Sequence, residues 1–139
     1  MDLNKLTLKS QTALEAAREQ AAARSHQTIE PLHLLFALLS DPDGIVYPLL
    51  HQIGISPRTL RDRVDAALDK LPKVYTQAAE IRLSPATVAV LDAAFREAQA
   101  LTDEYVSTEH LLLAMLDGDT EVGRLLREAG LQRDVVLTA

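Results

Sequence analysis

The chain is expected to be all-α, built as two pseudo-repeats of four helices each, and three observations predict this. The first is that it repeats itself: Ile29-Glu30-Pro31-Leu32-His33-Leu34-Leu35-Phe36-Ala37-Leu38-Leu39 returns as Val106-Ser107-Thr108-Glu109-His110-Leu111-Leu112-Leu113-Ala114-Met115-Leu116. The register holds upstream, where Leu14 and Ala17 match Leu91 and Ala94. With a one-residue slip it holds downstream, where Val46, Leu49, Leu50, Gly54 and Ile55 match Val122, Leu125, Leu126, Gly130 and Leu131. The second is that Ser or Thr caps and first-turn prolines stand just before apolar runs with helical spacing. The third is composition: 139 residues, 47% hydrophobic, with only five glycines, make one compact domain or a tightly docked pair of half-domains. A unit of half that length rarely buries enough apolar surface alone, so the copies should share a core across a pseudo-two-fold seam.

The elements follow in order. Thr7 caps a first helix with Leu14, Ala17 and Ala21 on one stripe, and Pro31 opens a second, strongly apolar helix ending near Ser40. The turn Asp41-Pro42-Asp43-Gly44 follows. A third short helix stops at Gly54, which suits the left-handed position past a helix end, and Ser56-Pro57 starts a fourth running to about Leu71. In the second copy Ser84-Pro85, Ser107-Thr108, Thr120 and Gln132 open the corresponding four. Between the copies Pro72-Lys73-Val74-Tyr75-Thr76-Gln77-Ala78-Ala79-Glu80 has no helical stripe and reads as a surface linker. The organisation expected is repeat one at 6–71, a linker at 72–83 and repeat two at 84–139.

Composition also excludes function classes. A net charge of −6 disfavours nucleic acid, because binding along phosphates uses clustered Lys and Arg. No apolar run reaches the ~20 residues that span a bilayer, and Met1-Asp2-Leu3-Asn4-Lys5 has no basic segment before an apolar signal core, so no membrane partner and a cytoplasmic location are expected. The absence of cysteine removes disulfides, thiolate nucleophiles and the usual zinc frameworks, and agrees with a reducing compartment. No Gly-x-x-x-x-Gly-Lys-Ser/Thr phosphate loop occurs.

Beyond the repeat, the Asn4-Lys5-Leu6-Thr7 start, the two His-Leu-Leu helices, Asp43-Gly44-Ile45-Val46, Leu71-Pro72-Lys73-Val74 and Asp103-Glu104-Tyr105-Val106-Ser107-Thr108-Glu109-His110 carry a resemblance. The chain resembles, over nearly its whole length, the N-terminal domain of the Clp family of AAA+ unfoldases, most of all the ClpB-type disaggregases. Protease-partner members share the repeat but generally differ at the start and the linker. The resemblance implies a double-repeat fold and a substrate-recognition module tethered to a hexameric ATPase ring that threads aggregated polypeptide. Its partners would be unfolded or aggregated clients, the AAA+ modules of the same polypeptide and a possible adaptor. No cofactor is expected in this chain, since ATP belongs to AAA+ modules that it does not contain.

The same resemblance points to Thr7, Asp103 and Glu109 as residues that handle substrate. Capping is the competing explanation: acidic residues near a helix N-terminus gain roughly 0.3–1 kcal/mol from its dipole, and an N-cap Thr about 1 kcal/mol. Thr7 aligns with Ser84, which favours a shared capping duty, whereas the counterpart of Asp103 is His26. Asymmetry between copies is where function is added. A groove where the copies meet would hold short apolar segments, and the resemblance implies that it is formed partly by the first helix of the second copy. Val90 and Ala94 are the substrate-binding candidates there, with Ala93 and Glu97 making it shallow and polar, so that binding should be weak.

His33 and His110 occupy equivalent places beside leucine runs, with no His-Glu-x-x-His and no cysteine, which favours hydrogen bonding at the seam over a metal or catalytic role. Asp41-x-Asp43-Gly44 lacks the further oxygens and closing Glu of a calcium loop and reads as a turn. A small hydrolase using Asp103, Glu109 or His110 as acid and base lacks a nucleophile in a recognisable setting, so no catalytic and no metal-binding residue is assigned. The remaining rival is an adaptor-docking domain.

Overall fold

A computed structural model describes residues 2–75 and 80–138. It contains eight α-helices: α1 (Leu8–Ala23), α2 (Pro31–Leu39), α3 (Val46–Ile53), α4 (Pro57–Asp69), α5 (Pro85–Ala100), α6 (Thr108–Asp117), α7 (Glu121–Glu128) and α8 (Arg133–Thr138). The architecture is the expected all-α double repeat of four helices each. Their starts follow from local chemistry: the hydroxyls of Thr7, Ser56, Ser84 and Thr120 accept from the backbone N–H three residues on. Pro31, Pro57 and Pro85 stand in first turns, where a missing N–H is harmless. Gly54 ends α3 at φ 93°, in the left-handed region that glycine enters without strain.

The repeated sequences form the centre. Every residue of α2 is buried, and so are Thr108 and His110 to Leu116 of α6. A helix apolar on all sides needs neighbours on all sides, and α1 and α4 cover α2 while α5, α7 and α8 cover α6. The stripe that α1 turns inward is Ala13, Ala17 and Ala21, with Leu14 only half-buried at its edge. Small side chains at helical spacing let α1 lie close on α2, and Val90, Ala94 and Ala98 do the same for α5 on α6.

The seam contains an element that the helical reading missed. Strands β1 (Thr28–Ile29) and β2 (Arg82–Leu83) pair in parallel, Thr28 with Arg82 and Ile29 with Leu83, so residues assigned to the linker join repeat one to repeat two. At the pseudo-equivalent place Leu6 bridges Val106, just after a 3₁₀ turn at Leu3–Lys5. Hydroxyls lock both crossings: Ser10 Oγ donates to the Val106 carbonyl at 2.9 Å, and Thr87 Oγ1 to the Ile29 carbonyl at 2.6 Å. Residues 72–75 and 80–81 are neither helix nor strand, and Val74 N–H donates to the Ser25 carbonyl at 2.8 Å. The rest of the expected linker, 76–79, lies outside the described residues.

Candidate functional site

Of the predicted site residues, Thr7 contacts Val106 directly, and Asp103 and Glu109 lie three residues to either side of it in the chain. Thr7 caps α1 through its side-chain oxygen, which accepts from Ser10 N–H at 3.1 Å, and its own N–H donates to the Val106 carbonyl at 3.0 Å. The start of α1 is thereby held against the α5–α6 corner, whose residues include Asp103 and Glu109. Asp103 N–H closes α5 by donating to the Ala98 carbonyl at 2.8 Å, after Thr102 turns at φ 56°. Its carboxylate is half-exposed, and Oδ2 accepts from His110 Nε2 at 2.8 Å. Glu109 stands half-buried in the first turn of α6, where the helix dipole favours a negative charge.

Two residues that sequence reasoning passed over complete this face. Leu8, next to Thr7, is 79% exposed, and Tyr105, next to Val106, is 50% exposed. Their signal was present: both are large apolar residues off the inward stripes, and Tyr105 follows two acids. The opposite end of the seam has no such face, since the positions matching Thr7, Tyr105 and Glu109 are Ser84, Thr28 and Leu32. Ser84 and Leu32 are both 4% exposed. Exposed Leu8 and Tyr105 each follow or precede a partner of the Thr7–Val106 hydrogen bond and have Pro85 and Thr28 as counterparts. The acids Asp103, Glu104 and Glu109 near them in the chain suit a segment that is apolar and cationic.

Val90 and Ala94 lie elsewhere. They are 5% and 0% exposed, because they form the stripe by which α5 packs on α6. As folded, they support the core beneath the expected groove, and a bound segment would touch them only if α5 shifted.

His110, Asp103 and Ser107 look at first like an acid, base and nucleophile, with Ser107 Oγ 3.0 Å from Nδ1. The hydrogen bonds assign them otherwise. Nδ1 accepts from the backbone N–H of Ser107 at 2.8 Å, so the ring proton sits on Nε2 and is given to Asp103. Ser107 and His110 form a capping box on α6. Repeat one builds the same box with Glu30 in place of the serine: His33 Nδ1 accepts from Glu30 N–H at 2.8 Å. What is common to both copies is helix capping, and the imidazole is 4% exposed in one and 0% in the other.

In repeat one the partner of His33 Nε2 is His26 Nδ1, at 2.7 Å. That leaves the second nitrogen of His26 as a buried atom without a hydrogen-bond partner among the described residues. Burial, then the neighbouring His26 and Arg24, hold the His33 imidazole well below its ordinary range, to about 4. Burial, then Arg24, also lowers His26.

The Asp41 turn is closed by its own groups. Asp41 Oδ1 accepts from Asp43 N–H at 3.1 Å and Oδ2 from Lys9 Nζ at 3.0 Å, which holds the carboxyl below its usual range. Among the described residues no three His, Asp or Glu side chains come together as a metal site, and no helix is long and apolar enough to cross a membrane.

The fold defines a helical double-repeat domain with no catalytic constellation among the described residues. The chain belongs to the Clp repeat (R) N-terminal domain family, which matches residues 5–129. It is 40% identical over 130 residues to the chaperone protein ClpB of Mycobacterium tuberculosis, a match covering 94% of this chain and 15% of that protein. The chain thus spans 15% of the length of that relative, and it carries no ATPase module. Among solved structures it is similar to the Hsp104 N-terminal domain from Candida albicans, with TM-score 0.84 and 28% identity over 96% of this chain and 87% of that one. It is also similar to the ClpV N-domain in complex with a VipB peptide, with TM-score 0.74 and 25% identity over 94% and 81% of the two chains.

Proposed function

We propose that this domain captures unfolded or aggregated polypeptide and presents it to a ClpB-type AAA+ ring in the cytoplasm. The observation that carries this reading is the asymmetric face at the Leu6–Val106 crossing, where Leu8 and Tyr105 are exposed among Asp103, Glu104 and Glu109. Thr7 and Asp103 hold that face in shape, one by capping α1 and the other by fixing His110, and Glu109 supplies charge. Contact is brief and tolerant of sequence, because two side chains and a carboxylate rim remove little area from water. ATP binding and hydrolysis belong to modules outside this chain.

A second reading has one observation in its favour. The ClpV N-domain relative was solved with a VipB peptide, so a domain of this fold can dock a defined segment of one partner. Adaptor docking on this chain predicts a single saturating partner in place of many weak ones.

Titrating the ¹⁵N-labelled protein with a permanently unfolded polypeptide, and with the same polypeptide folded, separates the outcomes. Capture of clients gives shifts at Thr7, Leu8, Tyr105 and Glu109 with the unfolded form alone, and Tyr105→Ala weakens them severalfold. Equal shifts with both forms, or none with either, would sink the client reading.

A further inference from the structure

In repeat one a single histidine holds both ends of the loop that carries β1. His33 Nδ1 accepts from Glu30 N–H, just after the strand, and His33 Nε2 meets His26 Nδ1, two residues before it. Because Nδ1 of His33 is an acceptor, its proton sits on Nε2 and is donated to His26 Nδ1, which leaves the His26 proton on Nε2. Each unprotonated ring nitrogen therefore already faces an N–H. His26 Nδ1 faces the His33 ring at 2.7 Å, and His33 Nδ1 faces the Glu30 backbone at 2.8 Å.

A proton added at either nitrogen sets two donors against each other and breaks the loop's attachment at that end. The rings of His26 and His33 are 5% and 0% exposed, so water replaces the lost acceptor only if the loop opens. The other proton of His26 has no acceptor among the described residues. Arg24 at the end of α1 and Lys73 beyond α4 oppose a positive ring, while Asp69 of α4 and Glu30 favour one. Arg24 already pairs with Asp65 and Asp69, which weakens that favourable term. The sheet held by this loop is two residues long on each strand, too small to keep its place unaided. At the Leu6–Val106 crossing the place matching His26 is taken by the Asp103 carboxylate, so no second ring faces His110.

We propose that the His26–His33 pair is an acid-operated latch on the β1–β2 crossing: a ring proton releases the β1 loop and bares the strand edges at Ile29 and Leu83, while the Leu6–Val106 crossing stays closed. Burial holds the His33 ring neutral down to about 4, against an ordinary 6.5. Between those values the open loop binds a proton that the closed loop refuses, so opening grows as the pH falls.

Amide exchange of the ¹⁵N-labelled 139-residue protein at pH 7 and pH 5, each corrected to the unfolded-chain rate at that pH, reads the two crossings separately. Ser84 N–H donates to the Ile29 carbonyl and Thr7 N–H to the Val106 carbonyl, so each amide reports one crossing. Opening of the latch lowers the protection of Ser84 at least about tenfold at pH 5 and leaves that of Thr7 unchanged. Replacing both rings, His26→Gln with His33→Gln, keeps a donor and an acceptor at each place with no titrating proton, and removes the loss at Ser84. Equal losses at Ser84 and Thr7 would mean that acid unfolds the whole domain. That result, undiminished protection at Ser84, or a loss that survives in the glutamine variant overturns the proposal. The comparison of the two amides in the unaltered protein decides the matter if the variant misfolds.

Discussion

His26 and Asp103 occupy equivalent positions and place opposite demands on the histidine seven residues later. His110 gives its Nε2 proton to the half-exposed Asp103 carboxylate. His33 gives its proton to another imidazole, with Arg24 and Lys73 near the pair and Asp69 and Glu30 as the opposing charges. Between pH 6.5 and about 4 the unfolded chain carries a proton on His33 that the folded chain refuses. Acidification through that window therefore favours unfolding, by up to about 3 kcal/mol from this residue. Urea midpoints at pH 7 and pH 5 should show the loss. His26→Asp, which copies repeat two, should flatten the dependence; an unchanged slope in that variant would show that the pair is not its source. The His26–His33 and Asp103–His110 pairs share one spacing in the sequence, yet neither contact was legible there, because each follows a left-handed turn, at Ser25 or at Thr102. Nothing in a serine or a threonine announces a positive φ.

At the scale of elements, the sequence displayed its helices and concealed its crossings. Thr7, Ser84 and Gly54 are caps whose chemistry is complete within a few residues, so they were readable one at a time. A strand of two residues has no period, and its partner lies in the other repeat, so β1, β2 and the Leu6–Val106 bridge left no local trace. The accessible trace was Ser10 and Thr87, matched hydroxyls at the repeat offset in the first turns of α1 and α5. Each spans the seam to a strand carbonyl that also accepts a backbone N–H, from Thr7 or from Ser84. Removing one hydroxyl leaves that carbonyl satisfied, so Ser10→Ala and Thr87→Val should each cost about 1 kcal/mol. The two sites share no partner, and their effects should add to within about 0.5 kcal/mol. Denaturant midpoints at constant m-value measure this. Two silent variants would mean that the hydroxyls do not bridge the seam. The burial of Val90 and Ala94 was illegible for a related reason, since it depends on α6 packing against them.

For the whole molecule, the paired crossings mean that neither repeat is a finished unit. Repeat one contributes the edge that Leu83 joins, and repeat two the edge that Leu6 joins, so each half alone exposes unpaired strand groups and one wall of the shared core. α2 contacts α5, α6 and α7 as well as its own neighbours, and without them its encircling apolar surface would face water. The face around Tyr105 is likewise made from both halves, Leu8 from one and Tyr105 with Glu109 from the other. Separate fragments covering residues 1–75 and 80–139 should therefore lack native chemical-shift dispersion singly and regain it, with the Tyr105 face, when mixed. Recovery on mixing would trace cooperativity to the seam; a dispersed spectrum from either fragment alone would show that a repeat closes its own core and that the crossings are incidental to folding.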